Sequence, residues 1–425
     1  MKVFKFGGAS VSTAERIRNV TGILKNYGND KLLVVVSAMG KTTNALEKVV
    51  EAFFTRDKES ALHLFEEIKK NHIGLILQLS DSAPSRSVCE TILKDFFTEV
   101  EWLLHDRPVR DYDYYYDQVV CVGELLSTAI VSWYLNDNGI KNTWIDVRDV
   151  IRTDDTFRDA VIDWKVTAEK VNESIAPLLT GSNMILTQGF IGATDENEST
   201  TLGREGSDYT AAVFANLLNA TEQTIWKDVQ GVMNADPKLY SEARWIRELN
   251  YLEVIEMAYY GAQVIHPKTI KPLQNKNIPL YVRSFLHPNE EGTCIHSKQI
   301  HHLPPIIVYK DRQVLMELKS KDFSFVGEGL TAEIYQIFES LKFKPNLTQN
   351  AAISVLCVID DHPEKVETLA LKAAEHFDVT ITRNLHLLTI RHYTQQLLDQ
   401  LVMDAKILLK QQTPDTIQVL LVTGS

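Results

Sequence analysis

The chemistry-bearing residues of this chain concentrate in one stretch, Thr200-Thr201-Leu202-Gly203-Arg204-Glu205-Gly206-Ser207-Asp208-Tyr209-Thr210. Two hydroxyls and a glycine lead into Arg204. A second glycine, a serine and an aspartate then open an apolar helix containing Ala211, Ala212, Phe214, Leu217 and Leu218. Glycine lets a backbone approach a ligand closely, and a helix N-terminus directs free N–H groups at an anion. Arg204 adds a planar fork suited to a carboxylate or phosphate. The stretch reads as an anion-holding loop. Taken alone, it reads equally as a glycine turn whose helix is capped by Ser207. Elsewhere, Lys5 precedes the pair Gly7-Gly8, and Glu124 lies in the apolar run Val119–Ser127. An unpaired carboxylate in such a run is costly, so Glu124 needs a cationic partner, either an arginine or a substrate ammonium.

These groups must be held by a scaffold, and its outline is periodic. Val3–Phe6 predicts a short buried strand, followed by a turn at Gly7-Gly8-Ala9-Ser10. Ser12 and Glu15 suggest a capping box for a helix with Ile17, Val20, Leu24 and Tyr27 on its apolar face, stopped by Gly28. Leu32–Val36 is a second apolar strand, and Ser37–Asn44 leads into another helix. Strand, small-residue loop, helix, repeated, is the pattern of an α/β protein with a mainly parallel sheet covered by helices. Ligands on such sheets bind at the carboxyl ends of the strands, where Lys5–Gly8 and Ser37–Asn44 fall.

Residues 45–110 lack strand signals and predict a helical insertion, with Val88, Ile92, Phe96, Val100 and Leu103 at helical spacing. Asp111–Tyr116, with tyrosines at 112, 114, 115 and 116, reads as a surface loop or interface. Val119–Ser127 then restarts the alternating pattern. Further strands are expected at Thr143–Ile145, Met184–Thr187, Thr224–Val229 and Leu280–Ser284, with helices around Glu253–Tyr260 and after Gly261. A boundary is placed in the Pro- and His-rich segment 287–305. The remainder predicts two small α+β modules. The first is strand Val314–Leu318, helix Thr331–Leu341, strand Ile353–Ile359, helix Glu364–Phe377 and strand Val379–Thr382. The second is strand Leu387–Ile390, helix Gln395–Leu409 and strand Ile417–Val422.

The 425 residues suffice for two or three domains, and a hydrophobic fraction of 44% with 24% charged residues is ordinary for a globular protein. A net charge of −12 argues against nucleic acid or an anionic membrane as the main partner, since both need a basic face. Cys89, Cys121, Cys294 and Cys357 are far apart and read as free thiols in a reducing compartment. With no leader before the first strand and no apolar run of spanning length, the expected location is cytoplasmic. Gly40-Lys41-Thr42 resembles a P-loop ending but lacks the upstream glycine, where Val35 stands. Gly327–Ala332 fits a loose dinucleotide fingerprint and reads better as a loop before a helix. No residue is assigned to a metal.

Lys5-Phe6-Gly7-Gly8-Ala9-Ser10 resembles the signature of the amino-acid kinase superfamily, and specifically of the aspartate kinases. Ser37-Ala38 with Thr43-Asn44, Gly123–Ser127, Gln188-Gly189-Phe190, Leu202–Ala211, Trp226–Gly231, Asp236-Pro237 and Gly261–Pro267 follow in the family order. The likeness covers residues 1–295. The tail, 306–425, resembles a tandem pair of regulatory and dimerising ACT domains. The resemblance implies a three-layer αβα catalytic domain, a homodimer, and ATP-dependent phosphorylation of the side-chain carboxylate of L-aspartate with Mg2+. That is the first step toward lysine, threonine and methionine. It implies catalytic roles for Lys5 and Asp208. Aspartate would be bound by Ser37, Thr43, Glu124, Phe190 and Arg204. The nucleotide would be bound by Lys5, Gly7, Gly8, Ser207, Lys227, Asp228, Met233 and Lys238.

Three positions depart from the family pattern. Glu205 stands where relatives often have Gly or Asn, and its charge is expected to point to solvent. Gln263 stands where many relatives carry a phosphate-contacting lysine, for which Lys238 or Lys268 would compensate. Asn346 and Asn350-Ala351-Ala352 stand where lysine-sensitive relatives place Asp and a Ser-Glu pair, which leaves the amino-acid effector of the ACT domains open. The rival readings are a glutamate or acetylglutamate kinase and a non-catalytic ACT-type amino-acid sensor. The length leaves no room for a fused dehydrogenase domain.

Overall fold

The computed structural model describes residues 1–425 except 182–183, 263–264, 323–324, 404 and 423–425. It divides into two units. The first comprises 1–232, 245–255 and 263–300, and the second 233–244, 256–262 and 301–425. The expected division at 295/306 therefore differs in two short inner segments that group with the tail.

The first unit runs β1 (Lys2–Phe6), α1 (Ala14–Lys25), β2 (Leu32–Val36), α2 (Thr42–Phe54), α3 (Lys58–Leu79), α4 (Ala83–His105) and α5 (Tyr112–Asp137). It continues with β3 (Thr143–Ile145), α6 (Trp164–Lys170), α7 (Leu178–Gly181), β4 (Met184–Gln188), β5 (Ile191–Ala193), β6 (Ser199–Thr201) and α8 (Gly206–Leu217). Then come β7 (Glu222–Lys227), β8 (Glu248–Asn250), α9 (Tyr251–Tyr260, ending in segment 256–262), α10 (Pro267–Asn275), β9 (Leu280–Ser284) and β10 (Thr293–His296). Eight strands form one sheet in the order β3-β4-β2-β1-β7-β9-β10-β8. All neighbours are parallel except β9 and β10. Every residue of β2 and of β4 is buried, as an interior parallel strand covered on both faces requires. β5 and β6 make a separate hairpin.

Several local expectations are corrected. Thr13, not Ser12, caps α1 by accepting the Arg16 N–H, while the Ser12 hydroxyl donates to the Ala9 carbonyl. The helix ends at Lys25, before Gly28. Asp111–Tyr116 is not a surface loop. It opens α5, and Val119–Ser127 is the middle of that helix. From Tyr115 to Leu135 all residues but Gln118 are buried, so the sequence shows no polar face and no helical period. By length and composition alone α5 could cross a membrane, contrary to the expectation of no such run. In the fold it is enclosed by protein.

The second unit contains β11 (Ile306–Ser320), α11 (Glu328–Ser340), β12 (Leu347–Asn350), β13 (Ser354–Asp360), α12 (Pro363–Ala373), β14 (Phe377–Arg391), α13 (Gln395–Leu401), β15 (Lys406–Gln412) and β16 (Thr416–Val422). Its six strands form one antiparallel sheet, β12-β13-β11-β14-β16-β15. The expected strands Val379–Thr382 and Leu387–Ile390 are one continuous strand, β14. The apparent break at Arg383-Asn384 is a bulge where Asn384 takes φ 58° opposite a register shift in β11. The expected helix to Leu409 stops at Leu401, and Lys406–Gln412 is a largely exposed edge strand. Asn346 is tied into a polar cluster, accepting from Lys310 Nζ at 2.7 Å and donating to Gln313 Oε1 at 2.7 Å and Asp360 Oδ1 at 2.9 Å.

Gly189, just past β4, shows how tightly the loops at the strand ends are stacked. A Cβ there would sit 2.6 Å from the Cα of Ser207 and 2.8 Å from Val35 Cγ1. Gly189→Ala is therefore expected to cost about 1–3 kcal/mol, read as a lower urea midpoint by circular dichroism. An unchanged midpoint would mean that α8 moves aside without cost.

Candidate active site

Five parallel strands deliver their carboxyl ends to one place. Past β1 come Gly7 and Gly8, past β2 Ser37 and Ala38, past β4 Phe190, past β7 Asp228, and past β9 Phe285. All of them line a single cavity of about 590 Å³ in the first unit. The N-terminus of α8 (Gly206, Ser207, Asp208) and the segment Thr201–Glu205 complete it, together with Thr43 of α2 and Tyr116 and Glu124 of α5. Of the residues singled out in the sequence, Lys5, Gly7, Gly8, Ser37, Thr43, Glu124, Phe190, Arg204, Ser207, Asp208, Lys227 and Asp228 line this cavity. Met233 and Lys238 belong to the second unit and do not line it. Gln263 lies outside the described residues, and Lys268 is committed to Asp159 at 2.5 Å.

Lys5 leaves the last turn of β1 with its ammonium 2.7 Å from Asp208 Oδ1, and both side chains are largely withdrawn from water. Gly7 and Gly8 are needed beside it. A Cβ on Gly8 would come within 2.4 Å of the Ala38 carbonyl, and one on Gly7 within 3.3 Å of the Lys5 ammonium. The bare backbone thus packs against the β2 loop while facing the cavity.

Glu124 is only 3% exposed. Burial pushes its carboxyl up to about 8, opposed by the Ala38 backbone N–H and the charge of Lys5. Its Oε2 is buried with no hydrogen-bond partner among the described residues. Of the two partners the sequence left open, no arginine forms an ion pair with Glu124 among the described residues. Ser127, one turn further along α5, donates to the Ser37 carbonyl at 2.7 Å and locks that loop to the helix.

The Gly-Arg-Glu-Gly segment is held from three sides. Asp117 of α5, fully buried, accepts the Thr201 N–H at 2.8 Å and its hydroxyl at 2.7 Å. Leu202 N–H donates to the Phe190 carbonyl at 2.8 Å, and Phe190 N–H to the Thr210 hydroxyl at 3.0 Å. Phe190 itself is left-handed, φ 71°. Glu205 does not point to solvent as expected. It occupies the left-handed N-cap position of α8, φ 57°, lines the cavity, and its Oε2 accepts the His266 N–H at 2.8 Å. Ser207 is the second residue of the helix and not its cap. Arg204 is exposed at the cavity wall and has no ion-pair partner among the described residues.

Sequence reasoning missed Asp117, Tyr116 and Arg158 as parts of the site. The tyrosine run marked the right region, but as a loop. Nothing around Arg158 formed a recognisable pattern.

Comparison with known proteins matches residues 1–284 to the amino acid kinase family. Lysine-sensitive aspartokinase 3 of Escherichia coli is 32% identical over 362 residues, covering 84% of this chain and 78% of that protein. A chloroplastic bifunctional aspartokinase/homoserine dehydrogenase 2 of Arabidopsis thaliana is 34% identical over 69% of this chain, which spans only 32% of that longer relative. The solved structure of E. coli aspartokinase III in complex with aspartate and ADP aligns over 99% of this chain and 96% of that one, with a TM-score of 0.82 and 27% identity. The same enzyme with lysine and aspartate aligns with a TM-score of 0.80.

The Glu124 carboxyl gives a pH signature. Its folded value near 8 exceeds its ordinary 4.5, so between those limits the folded protein holds a proton the unfolded chain has released. The contribution of this group to stability is complete below the lower limit and is lost as pH rises through the upper one. Glu124→Gln removes that titration. Its denaturation midpoint is expected to exceed the parent's by a margin that widens from about pH 5 to about pH 8. A margin that stays constant over this range would refute the burial-driven shift.

Proposed function

We infer the reaction from one premise: the chain belongs to the amino acid kinase family, and within it to the aspartokinases. It transfers the γ-phosphoryl group of ATP to the side-chain carboxylate of L-aspartate, giving 4-phospho-L-aspartate at the head of lysine, threonine and methionine biosynthesis. The observation that carries this reading is a cavity in which, among the described residues, Arg204 has no ion-pair partner and buried Glu124 has an unpartnered oxygen, with Lys5 at a bare glycine turn. Those groups match a carboxylate, an ammonium and a phosphoryl group respectively. The aspartate and ADP held by the E. coli relative support it.

Phosphoryl transfer asks a protein mainly for positioning and charge neutralisation. Arg204 holds the acceptor's carboxylate by a charge-assisted fork, and Glu124 takes its ammonium. Ser37, Thr43 and Phe190 complete the acceptor pocket. Lys5 meets the developing charge on the transferred group, and Asp208 fixes the Lys5 ammonium in place. Gly7 and Gly8 offer backbone N–H groups. No general base is needed, because the acceptor carboxylate is already an ionised nucleophile. Ser207, Lys227 and Asp228 serve the nucleotide. Asp208 and Asp228 are hard oxygen donors suited to magnesium or its waters, and the metal supplies neutralisation of phosphate charge. The four free cysteines support a cytoplasmic enzyme. The second unit serves as a pair of ACT domains for homodimer formation and an amino-acid effector, a role supported by the lysine complex of the E. coli relative.

ATP turnover with L-aspartate, L-glutamate and N-acetyl-L-glutamate, trapping acyl phosphate with hydroxylamine, separates the readings. Hydroxamate is expected with aspartate, and its absence there sinks the proposal. Lys5→Ala should lower kcat about 100-fold or more with the fold intact. Arg204→Ala should mainly raise the aspartate KM, by about 10- to 100-fold. Unchanged aspartate saturation in Arg204→Ala would remove Arg204 from the acceptor site.

A further inference from the structure

Arg158 lies in the loop between β3 and α6, in no motif, and lines the same cavity as Arg204. Its backbone is left-handed, φ 69°, a conformation costly for any residue with a Cβ. The conformation is held by a buried group: the Arg158 N–H donates at 3.0 Å to Asp117, the carboxylate that also fixes Thr201. The two arginine-bearing segments are packed together. A Cβ on Gly203 would sit 3.3 Å from the Arg158 carbonyl and 2.6 Å from Asp159 Oδ1. One buried carboxylate therefore fixes both the Arg158 backbone and Thr201, three residues before Arg204.

The side chain of Arg158 falls among elements of the acceptor pocket. Its guanidinium stacks 4.1 Å over the Tyr116 ring of α5. It pairs with Glu47 of α2 at 3.1 Å and with Asp113 of α5 at 3.4 Å. Glu47 is one turn beyond Thr43 on the same face of α2, and Asp113 and Asp117 lie on α5 upstream of Glu124. None of these contacts comes from β7 or β9, whose ends carry Lys227, Asp228 and Phe285. Both ion pairs are partly exposed, with Arg158 itself 40% exposed. Such pairs contribute little and exchange readily for a better partner. The Tyr116 stack keeps the planar fork oriented meanwhile. A purely structural surface pair would need neither the left-handed backbone nor a place on the cavity wall.

We propose that Arg158 is a second binding residue for the acceptor's non-reacting carboxylate, positioned by Asp117 and selecting acceptors that carry two carboxylates. This rests on the reading of the cavity as an acceptor site for aspartate. The informative substitution is Arg158→Gly. Glycine suits φ 69° and keeps the N–H donated to Asp117, so only the side chain is lost.

The measurements are hydroxamate kinetics against L-aspartate and ATP, with β-alanine, which is aspartate without its α-carboxylate, as a competing ligand. Arg158→Gly is expected to raise the aspartate KM about 10- to 100-fold. The ATP KM, kcat and the inhibition constant of β-alanine should each stay within about threefold. Arg158→Lys should fall between parent and glycine variant, because it keeps the charge and loses the fork. An aspartate KM within about twofold of the parent's overturns the inference while leaving the aspartokinase reading intact. Equal weakening of aspartate and β-alanine also overturns it, since that marks a structural role. Absence of aspartate turnover in the parent enzyme overturns the reading and this inference with it.

Discussion

The bond between Lys5 and Asp208 joins the end of the central strand β1 to the first turn of α8, and much of the first unit is arranged to make it possible. For the ammonium to meet the carboxylate, α8 must approach the strand ends closely. Gly189 and Gly206 allow that approach. A Cβ on Gly206 would lie 2.8 Å from the Phe190 ring, and one on Gly189 would press on the Ser207 backbone. The Phe190 and Glu205 backbones flanking this approach adopt left-handed conformations. The strain is local, and hydrogen bonds from Phe190 to the Thr210 hydroxyl, and from Leu202 and His266 to Phe190 and Glu205, hold it in place. Such strain persists where the surroundings over-determine it, which is characteristic of sites and not of scaffolds.

α5 contributes to the same end from the opposite direction. It is buried along most of its length, yet carries two carboxylates inward. Burial raises both, Asp117 to about 6 despite three bonds from Thr201 and Arg158, and Glu124 further, to about 8. The difference follows from their partners. Asp117 is satisfied by the chain itself and holds loops. Glu124 keeps an oxygen unpartnered toward the cavity. Two acids on one helix thus divide, by what surrounds them, into one the chain satisfies and one it leaves unsatisfied, which suits the latter to the proposed role of ligand group.

What the sequence made legible was local and chemical. The parallel sheet followed from apolar runs separated by small-residue loops. Glu124 was conspicuous as a charge in an apolar run, and Lys5, Arg204 and Asp208 stood beside glycines. What stayed hidden depended on distant partners. Glu205 finds its hydrogen bond 61 residues away, at His266. Arg158 reaches the cavity through a backbone turn fixed by Asp117, 41 residues earlier. α5 concealed its period because it has no exposed face, and β14 looked broken at Asn384 because a bulge and a break share the same residue types. In the second unit, strand pairing between β11 and β14 over most of their length was invisible to a reading that took each module in turn.

The burial of Glu124 also makes the cavity an exchanger of protons. With its carboxyl near 8, the empty site at neutral pH holds that group mostly protonated. In the proposed acceptor site an incoming ammonium would stabilise the ionised form, so that occupation would drive the proton out to solvent. Ligand capture and proton release then become a single linked equilibrium. The heat of binding depends on the ionisation enthalpy of whatever buffer receives the proton, and apparent affinity rises with pH until Glu124 is ionised before the ligand arrives.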